Sequence, residues 1–525
     1  MTRSSRRATE LFCILAGLVM APARPAIAGD IIPSYPDPCV QTLTPGTIQV
    51  GSIPRIGNGL YVYSVDSVLR EAPTRTNLVL IVNGNNYHWD DYVPLAQHLA
   101  RNGFIVAIGE RPNNSSEDPQ FVIDALEAVL ASLALPEAAV VNIGLIGHSV
   151  GGKVVVNGAV LNDADDVGLP IRAVIGLSPH SGDIEHLDGT DARSYLLVYG
   201  SQDEDLTGSS GVPREAFAAY DRSGSEGSTA CNVQPCISIA PAFERTLIHA
   251  YGMDHAGLIG LDPPSVITDP DTEYVDPDNQ LCFTKGYTTA FLRWKLLGGS
   301  IYKGMIRGAW RPQSIAAITT ILPDGLGNPA GSPLQLFFQI SPEQRQVVTH
   351  FENGMGAVTG KSSGVQTQLV APGAFSGSPT WVRHDTGVLL VGWPFHNGLQ
   401  WVRISVPFPA RNGSTYTHLS LRIGQLHGPP QGYENPVNED QQVRLVVLDG
   451  DGKVVIRDLS AYGRIPPPDP YTPVPTRAKS IMNTIRVPTH ALSGIDRTRV
   501  REIYLLFDAQ STGTIIVDSV EWHRD

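Results

Sequence analysis

A chain of 525 residues with 42% apolar and 17% charged residues is too long for one ordinary core, so two or more globular units are expected. The formal net charge of -13, without any dense run of Lys or Arg, excludes nucleic acid as a partner, because phosphate binding needs clustered cations. Aromatic residues spread along the whole chain exclude a fibrous or disordered class.

The first 28 residues set Arg3, Arg6 and Arg7 ahead of an apolar run from Leu11 to Ala23, followed by Ala26-Ile27-Ala28. That order reads as a secretory signal cleaved after Ala28, and the run is too short to span a membrane. The pair Arg6-Arg7 is similar to a twin-arginine signal, but Thr9 and Glu10 stand where such a signal has an apolar pair, which favours ordinary secretion. A secreted or periplasmic mature chain with no transmembrane segment is expected. Of the five cysteines, Cys13 leaves with the signal. The remaining four suit disulfides in an oxidising compartment. Cys231 and Cys236 in CNVQPC suit a local bridge, which would leave Cys39 for Cys282; this is one of three connectivities, and spacing does not choose among them. No His clusters with these cysteines at zinc-site spacing, so no metal and no cofactor is expected.

From residue 29 to 305 short Val/Ile/Leu-rich runs alternate with amphipathic stretches, the pattern of parallel strands joined by crossover helices. NLVLIVNG, FIVAIGE, VVNIGLIG, RAVIGLS, YLLVYG and RTLIHAYG are continuous apolar runs, as strands buried on both faces should be. Between them DYVPLAQHLARNG predicts a helix with Gly103 as its C-cap, and PQFVIDALEAVLASL a helix capped by Asp118. GYTTAFLRWKLLGG predicts the last helix of this unit. Residues 306–346 read as a linker. From 347 to 525 Gly, Pro, Ser and Thr punctuate short alternating runs, and an all-β sandwich is expected. LQWVRISVPF, THLSLRIGQ, QVRLVVLDGDGKVVIRDL, NTIRVP, REIYLLFDA and GTIIVDSVEW each read as a strand or hairpin, and the Pro-rich stretch 464–475 as a surface loop.

Directly after VVNIGLI stands Gly147-His148-Ser149-Val150-Gly151-Gly152, a G-x-S-x-G sequence between a strand and the helix-compatible KVVVNGAVL. Small residues at that junction leave room for a sharp turn that exposes the serine hydroxyl. A serine hydroxyl is a poor nucleophile until a base takes its proton. GMDHAGL supplies His255 for that role, with His249 and His180 as competitors. In YLLVYGSQDED, Asp203, with Asp205 as its rival, is the carboxylate that would fix the imidazole tautomer. An oxyanion hole is expected from the backbone N–H of Val150 and from Asn85 in NGNNYHWDD, with Asn86 competing.

On NGNNYHWDDYVPLAQHLARNGFIVAIGERP, GHSVGG, YGSQDED and GMDHAGL, residues from about 45 to 300 resemble the α/β-hydrolase superfamily, in the neighbourhood of dienelactone hydrolases, chlorophyllases and polyester hydrolases. The resemblance implies an α/β-hydrolase fold, a mostly parallel sheet flanked by helices, and a serine esterase acting on carboxylic esters. It departs at Ser149, where dienelactone hydrolases carry cysteine, and at His148, Val150 and Asn85, where polyester hydrolases commonly carry Trp, Met and an aromatic. Only about fifteen residues, PHSGDIEHLDGTDAR, stand where many lipases insert a lid, so an open site taking polymeric or surface-bound esters is expected. The 347–525 unit resembles jelly-roll modules that bind carbohydrate. Trp381, Trp393, Trp401 and Trp522 are candidates for sugar stacking or for core, and Asp518 and the run 269–279 for calcium or for solvated loops. That module would direct the enzyme to glycan-linked esters; a binding protein on a hydrolase scaffold is the non-catalytic alternative.

Overall fold

The computed structural model describes residues 37–40, 47–53, 59–65, 76–112, 117–133, 140–164, 167–180, 194–201, 244–250, 252–262, 275–318, 334–339, 344–349, 358–370, 388–394, 399–426, 433–436, 439–467, 482–507 and 512–524, with Gly182, Ile184, Glu185, Leu187, Asp203, Ala219, Tyr220 and Phe351. The expected signal segment and the pair Cys231 and Cys236 lie outside them.

The six apolar runs form strands β3 (Thr76–Val82), β4 (Ile105–Glu110), β5 (Val140–His148), β6 (Ile171–Leu177), β7 (Ser194–Gly200) and β8 (Glu244–Ala250). Three further strands join them: β1 (Ile48–Ile53), β2 (Gly59–Val65) and β9 (Leu334–Gln339). The sheet order is β1-β2-β4-β3-β5-β6-β7-β8-β9, parallel from β4 through β8, with antiparallel partners β2 at one side and β9 at the other. β9 comes from within the stretch read as a linker.

Alternation along each strand divides the apolar residues between two layers. Leu78, Leu80 and Val82 of β3 face α2 (Gln120–Ser132) and α3 (Val150–Ala164), whereas Val79 and Ile81 face α1 (Val93–Ala100) and α4 (Pro277–Leu297). Two short helices, α5 (Ile301–Ile306) and α6 (Gln313–Ile318), follow. Gly103 is not a helix C-cap: α1 ends at Ala100 with Arg101 capping it, and Gly103 serves the next turn at φ +93°. α4 begins nine residues before the expected GYTTAFLRWKLLGG. Its start falls inside the acidic run 269–279, where the Asp276 carboxylate accepts from the amides of Asp278 (3.0 Å) and Asn279 (3.4 Å). This end of the run is a helix cap. An N-terminal arm is tied down by the Cys39–Cys282 disulfide, by His98 Nε2 bonded to the Pro38 carbonyl (2.8 Å) and by Asp37 bonded to Ser314 (2.7 Å).

The remaining strands are antiparallel and form two sheets. One contains β12 (Gln366–Val370), β13 (Val388–Trp393), β20 (Gly513–His523), β15 (His418–Gln425) and β18 (Asn483–Pro488) in that order, with β10 (Arg345–Thr349) also on β20. The other runs β11 (Val358–Lys361), β14 (Gln400–Ser405), β19 (Val500–Phe507), β16 (Val443–Asp449) and β17 (Val454–Asp458). Their facing sides share a core in which Trp393 stacks on Phe507 (3D separation of ring centroids 4.2 Å) and Trp522 Nε1 donates to the Ala410 carbonyl (2.9 Å). Both tryptophans are core residues. Trp401 lies half-buried against Tyr504, and Trp381 is outside the described residues. Asp518 is in neither a loop nor a cation site; it sits in β20, paired with Arg422 at 3.3 Å. The Pro-rich stretch begins anchored, since Ile465 is buried and its carbonyl accepts from the Gln441 amide and the Gln425 side chain.

The first of these sheets is largely buried on both faces, and its outer face carries the ion pairs Arg422–Asp518 and Arg345–Glu521 beside apolar residues. Val388, Leu390 and Ile516 point away from the sandwich core into the same cluster as α2 and α3, together with Tyr220. Arg245 of β8 lies 4.3 Å over the Tyr220 ring, and Arg422 of β15 reaches its hydroxyl at 3.5 Å.

Candidate active site

Ser149 occupies the one-residue turn between β5 and α3. Its φ of +54° is the left-handed conformation that β-carbon-bearing residues avoid, and the fold holds it there by bonds on both sides of the peptide. The Ser149 amide donates to the Leu177 carbonyl (2.9 Å), and its carbonyl accepts from the amides of Gly152 (2.9 Å) and His180 (3.0 Å). The turn closes only because two neighbours lack side chains. A β-carbon on Gly147 would stand 2.1 Å from the Gly151 carbonyl oxygen, and one on Gly151 2.5 Å from the Asn83 carbonyl oxygen. Val150 is the first residue of α3, so its amide belongs to the first turn, where N–H groups have no acceptor within the helix.

Asp203 follows the end of β7 and is fully buried; His255 follows β8 and is 4% exposed. Their side chains meet, with His255 Nδ1 at 3.1 and 3.0 Å from the two carboxylate oxygens. An acceptor at Nδ1 puts the neutral ring's proton there and its lone pair on Nε2. The loop that carries His255 is itself fixed. The neighbouring Asp254 accepts from the Gly257 amide (2.8 Å) and from Gln280 Nε2 (2.8 Å), and its amide donates to Gln280 Oε1 (2.9 Å). Burial raises the Asp254 carboxyl pKa, an effect these bonds oppose. A β-carbon on Gly200 would lie 2.2 Å from the Met253 carbonyl oxygen, so this loop packs directly on the end of β7. Of the competing histidines, His249 lies within β8, and His180 follows β6 with its Nδ1 near the Gly182 amide (3.3 Å).

The loop after β3 closes the third side. A β-carbon on Gly84 would be 3.0 Å from Ser149 Cβ, which places this loop against the serine. Asn85 is half-buried, and its side-chain oxygen accepts from Arg111 Nη2 (2.8 Å); Asn86 is exposed at φ +63°. Arg111, fully buried at the end of β4, also donates from Nε to the Asn83 carbonyl (2.9 Å), while its amide donates to Asn83 Oδ1 (3.0 Å). Asn83 Nδ2 in turn holds the Tyr87 carbonyl (2.7 Å). The loop conformation is therefore set from behind by one guanidinium and one amide side chain.

Ser149, Asp203, His255, Val150 and Asn85 all lie at the carboxyl ends of strands of one sheet, the edge at which open α/β sheets commonly place ligands. Residues 83–92, Arg111 and Gln280 also shape the site, and only the first had any local signal in sequence. Asp205 lies outside the described residues, as does much of the 179–193 stretch expected to leave the site lidless. Among the described residues no group of three or more His, Cys, Asp and Glu side chains is arranged to hold a metal ion. Among them, too, no helix is long and apolar enough to cross a membrane. No protein-family model matches the chain, and no curated protein matches it.

Proposed function

We propose that this chain is a secreted serine esterase on an α/β-hydrolase framework, followed by a jelly-roll-like sandwich. The observation that carries the reading is a serine held in left-handed backbone at a strand-to-helix turn, on the same sheet edge as an imidazole bonded through Nδ1 to a buried carboxylate. The strand order β1-β2-β4-β3-β5-β6-β7-β8 and the chain order Ser, Asp, His support the framework. The Cys39–Cys282 disulfide supports an oxidising compartment.

In this reading Ser149 Oγ attacks the ester carbonyl carbon while His255 Nε2 takes its proton. Asp203 stabilises the imidazolium, and the amides of Val150 and Asn85 receive the oxyanion, each worth about 3 kcal/mol in the transition state. The alcohol departs with the proton from His255, and water repeats the sequence to free the acid and regenerate the serine. Since Trp393 and Trp522 are spent in the sandwich core and one face of that sandwich packs on the α/β layer, a simple ester substrate is favoured over a glycan-directed one.

Hydrolysis of p-nitrophenyl esters by the wild type and by Ser149→Ala tests the proposal. The variant is expected to lose at least about three orders of magnitude in kcat. Equal rates in the two proteins would end the esterase reading.

A further inference from the structure

His148, the residue between the elbow glycine and Ser149, has no part in the proton transfers above, yet both of its ring nitrogens are engaged in a fully buried site. Tyr92 Oη lies 2.9 Å from His148 Nδ1, and the Gly84 amide donates to the same phenol oxygen at 2.9 Å. On the other side His148 Nε2 is 3.1 Å from the backbone carbonyl oxygen of His255. The His255 carbonyl oxygen can only accept, which fixes the donor and acceptor ends of the neutral ring, so Tyr92, whose oxygen already accepts from the Gly84 amide, donates its O–H to Nδ1. The ring proton is then on Nε2 and goes to the His255 carbonyl. The bonds run in one direction: Gly84 amide, Tyr92 hydroxyl, His148 imidazole, His255 carbonyl.

Resting on the esterase reading, we propose that His148 is a positioning residue which, with Tyr92, fixes the spacing between the oxyanion loop at Gly84-Asn85 and the loop carrying His255. Two independent features agree with this role. The His148 and His255 rings are only 4.5 Å apart between centroids, so a second cation beside His255 would oppose formation of the catalytic imidazolium; a neutral His148 does not. Burial lowers the His148 pKa well below the ordinary histidine value and raises that of Tyr92, keeping both links uncharged. The groups facing His148 are Tyr92, Tyr87 and His255. The chain of bonds also accounts for histidine at this position: one flat ring presents an acceptor and a donor on opposite sides, toward two loops distant in sequence.

The test combines kinetics with a readout that needs no catalysis. Tyr92→Phe and His148→Gln, which keeps a donor for the His255 carbonyl, are each expected to lower kcat by about 10- to 100-fold with KM changed less than about threefold. Because both break one relay, the double variant is expected to lose no more than the worse single variant. Multiplying losses, or an unchanged kcat in Tyr92→Phe, would overturn the proposal. Imidazole nitrogen NMR of the full-length 15N-histidine-labelled protein at neutral pH should show a neutral His148 protonated at Nε2, assigned by loss of its signals in His148→Gln. A ring protonated at Nδ1 would also overturn it, whatever the variants' stability. A wild type with the expected His148 signals but no Ser149-dependent hydrolysis would sink the esterase reading and leave the bonded relay standing, while overturning its catalytic purpose.

Discussion

At the scale of single residues, the left-handed backbone of Ser149 stands on the same sheet edge as the bonded pair Asp203 and His255. The two oxygens of Asp203 around Nδ1 select the tautomer with a basic Nε2, so Asp203→Asn, which presents an amide N–H to that nitrogen, should favour the wrong one. The expected result is a fall in kcat of about three to four orders of magnitude with KM little altered, measured on p-nitrophenyl esters. A loss below about tenfold would remove Asp203 from the machinery. Sequence singled out these three because each stands just past an apolar run in the order that the proposed reaction would need, and the structure brings Asp203 and His255 together. It assigned no role to Tyr92, His148 or Arg111. Tyr92 and His148 are 56 residues apart, and Arg111 and Asn83 are 28 apart. Asp203 and His255 are about as far apart, but each stands in a local motif just past a strand, whereas Tyr92 and Arg111 carry no such signal and meet their partners only once the strands become neighbours.

At the scale of elements, the continuous apolar runs disclosed β3 to β8 almost to the residue, since strands covered on both faces have little room for polar side chains. The antiparallel β1 and β2, and β9 in the stretch read as a linker, escaped notice. The start of α4 was hidden by acidic residues and Pro277, which suit a first helical turn as well as a loop. The N-terminal arm gives a pH test. Burial lowers the pKa of His98 to about 4, so between that value and about 6.5 the unfolded chain binds a proton that the folded chain refuses. Stability is therefore fullest above the upper limit, declines as the pH falls through this window and levels off below it. His148 and His523 are lowered in the same direction and add to the slope. Urea unfolding at pH 7 and pH 4.5 should show a difference that is smaller in His98→Gln than in wild type by roughly 2–3 kcal/mol. An identical difference in both would rule out this contribution.

At the scale of the whole molecule, the sandwich is not an appendage on a string. Val388, Leu390 and Ile516 on the outer face of one of its sheets share a core with the α/β layer, and Tyr220, Arg245 and Arg422 join the two halves in a buried contact. Arg422→Met would leave the Asp518 carboxylate buried without this guanidinium and is expected to destabilise the protein by about 3–5 kcal/mol, with much of the loss recovered in Arg422→Met/Asp518→Leu. Calorimetry should record both halves of the wild type unfolding in one transition; two well-separated transitions would contradict the shared core. The proposed function centres on the hydroxyl of Ser149. Intact-protein mass spectrometry with peptide mapping after exposure to phenylmethanesulfonyl fluoride measures its activation most directly. One sulfonyl adduct on Ser149, absent in Ser149→Ala and formed far more slowly in His255→Ala, is expected. No adduct, or one on another residue, would contradict the assignment of Ser149 as the nucleophile.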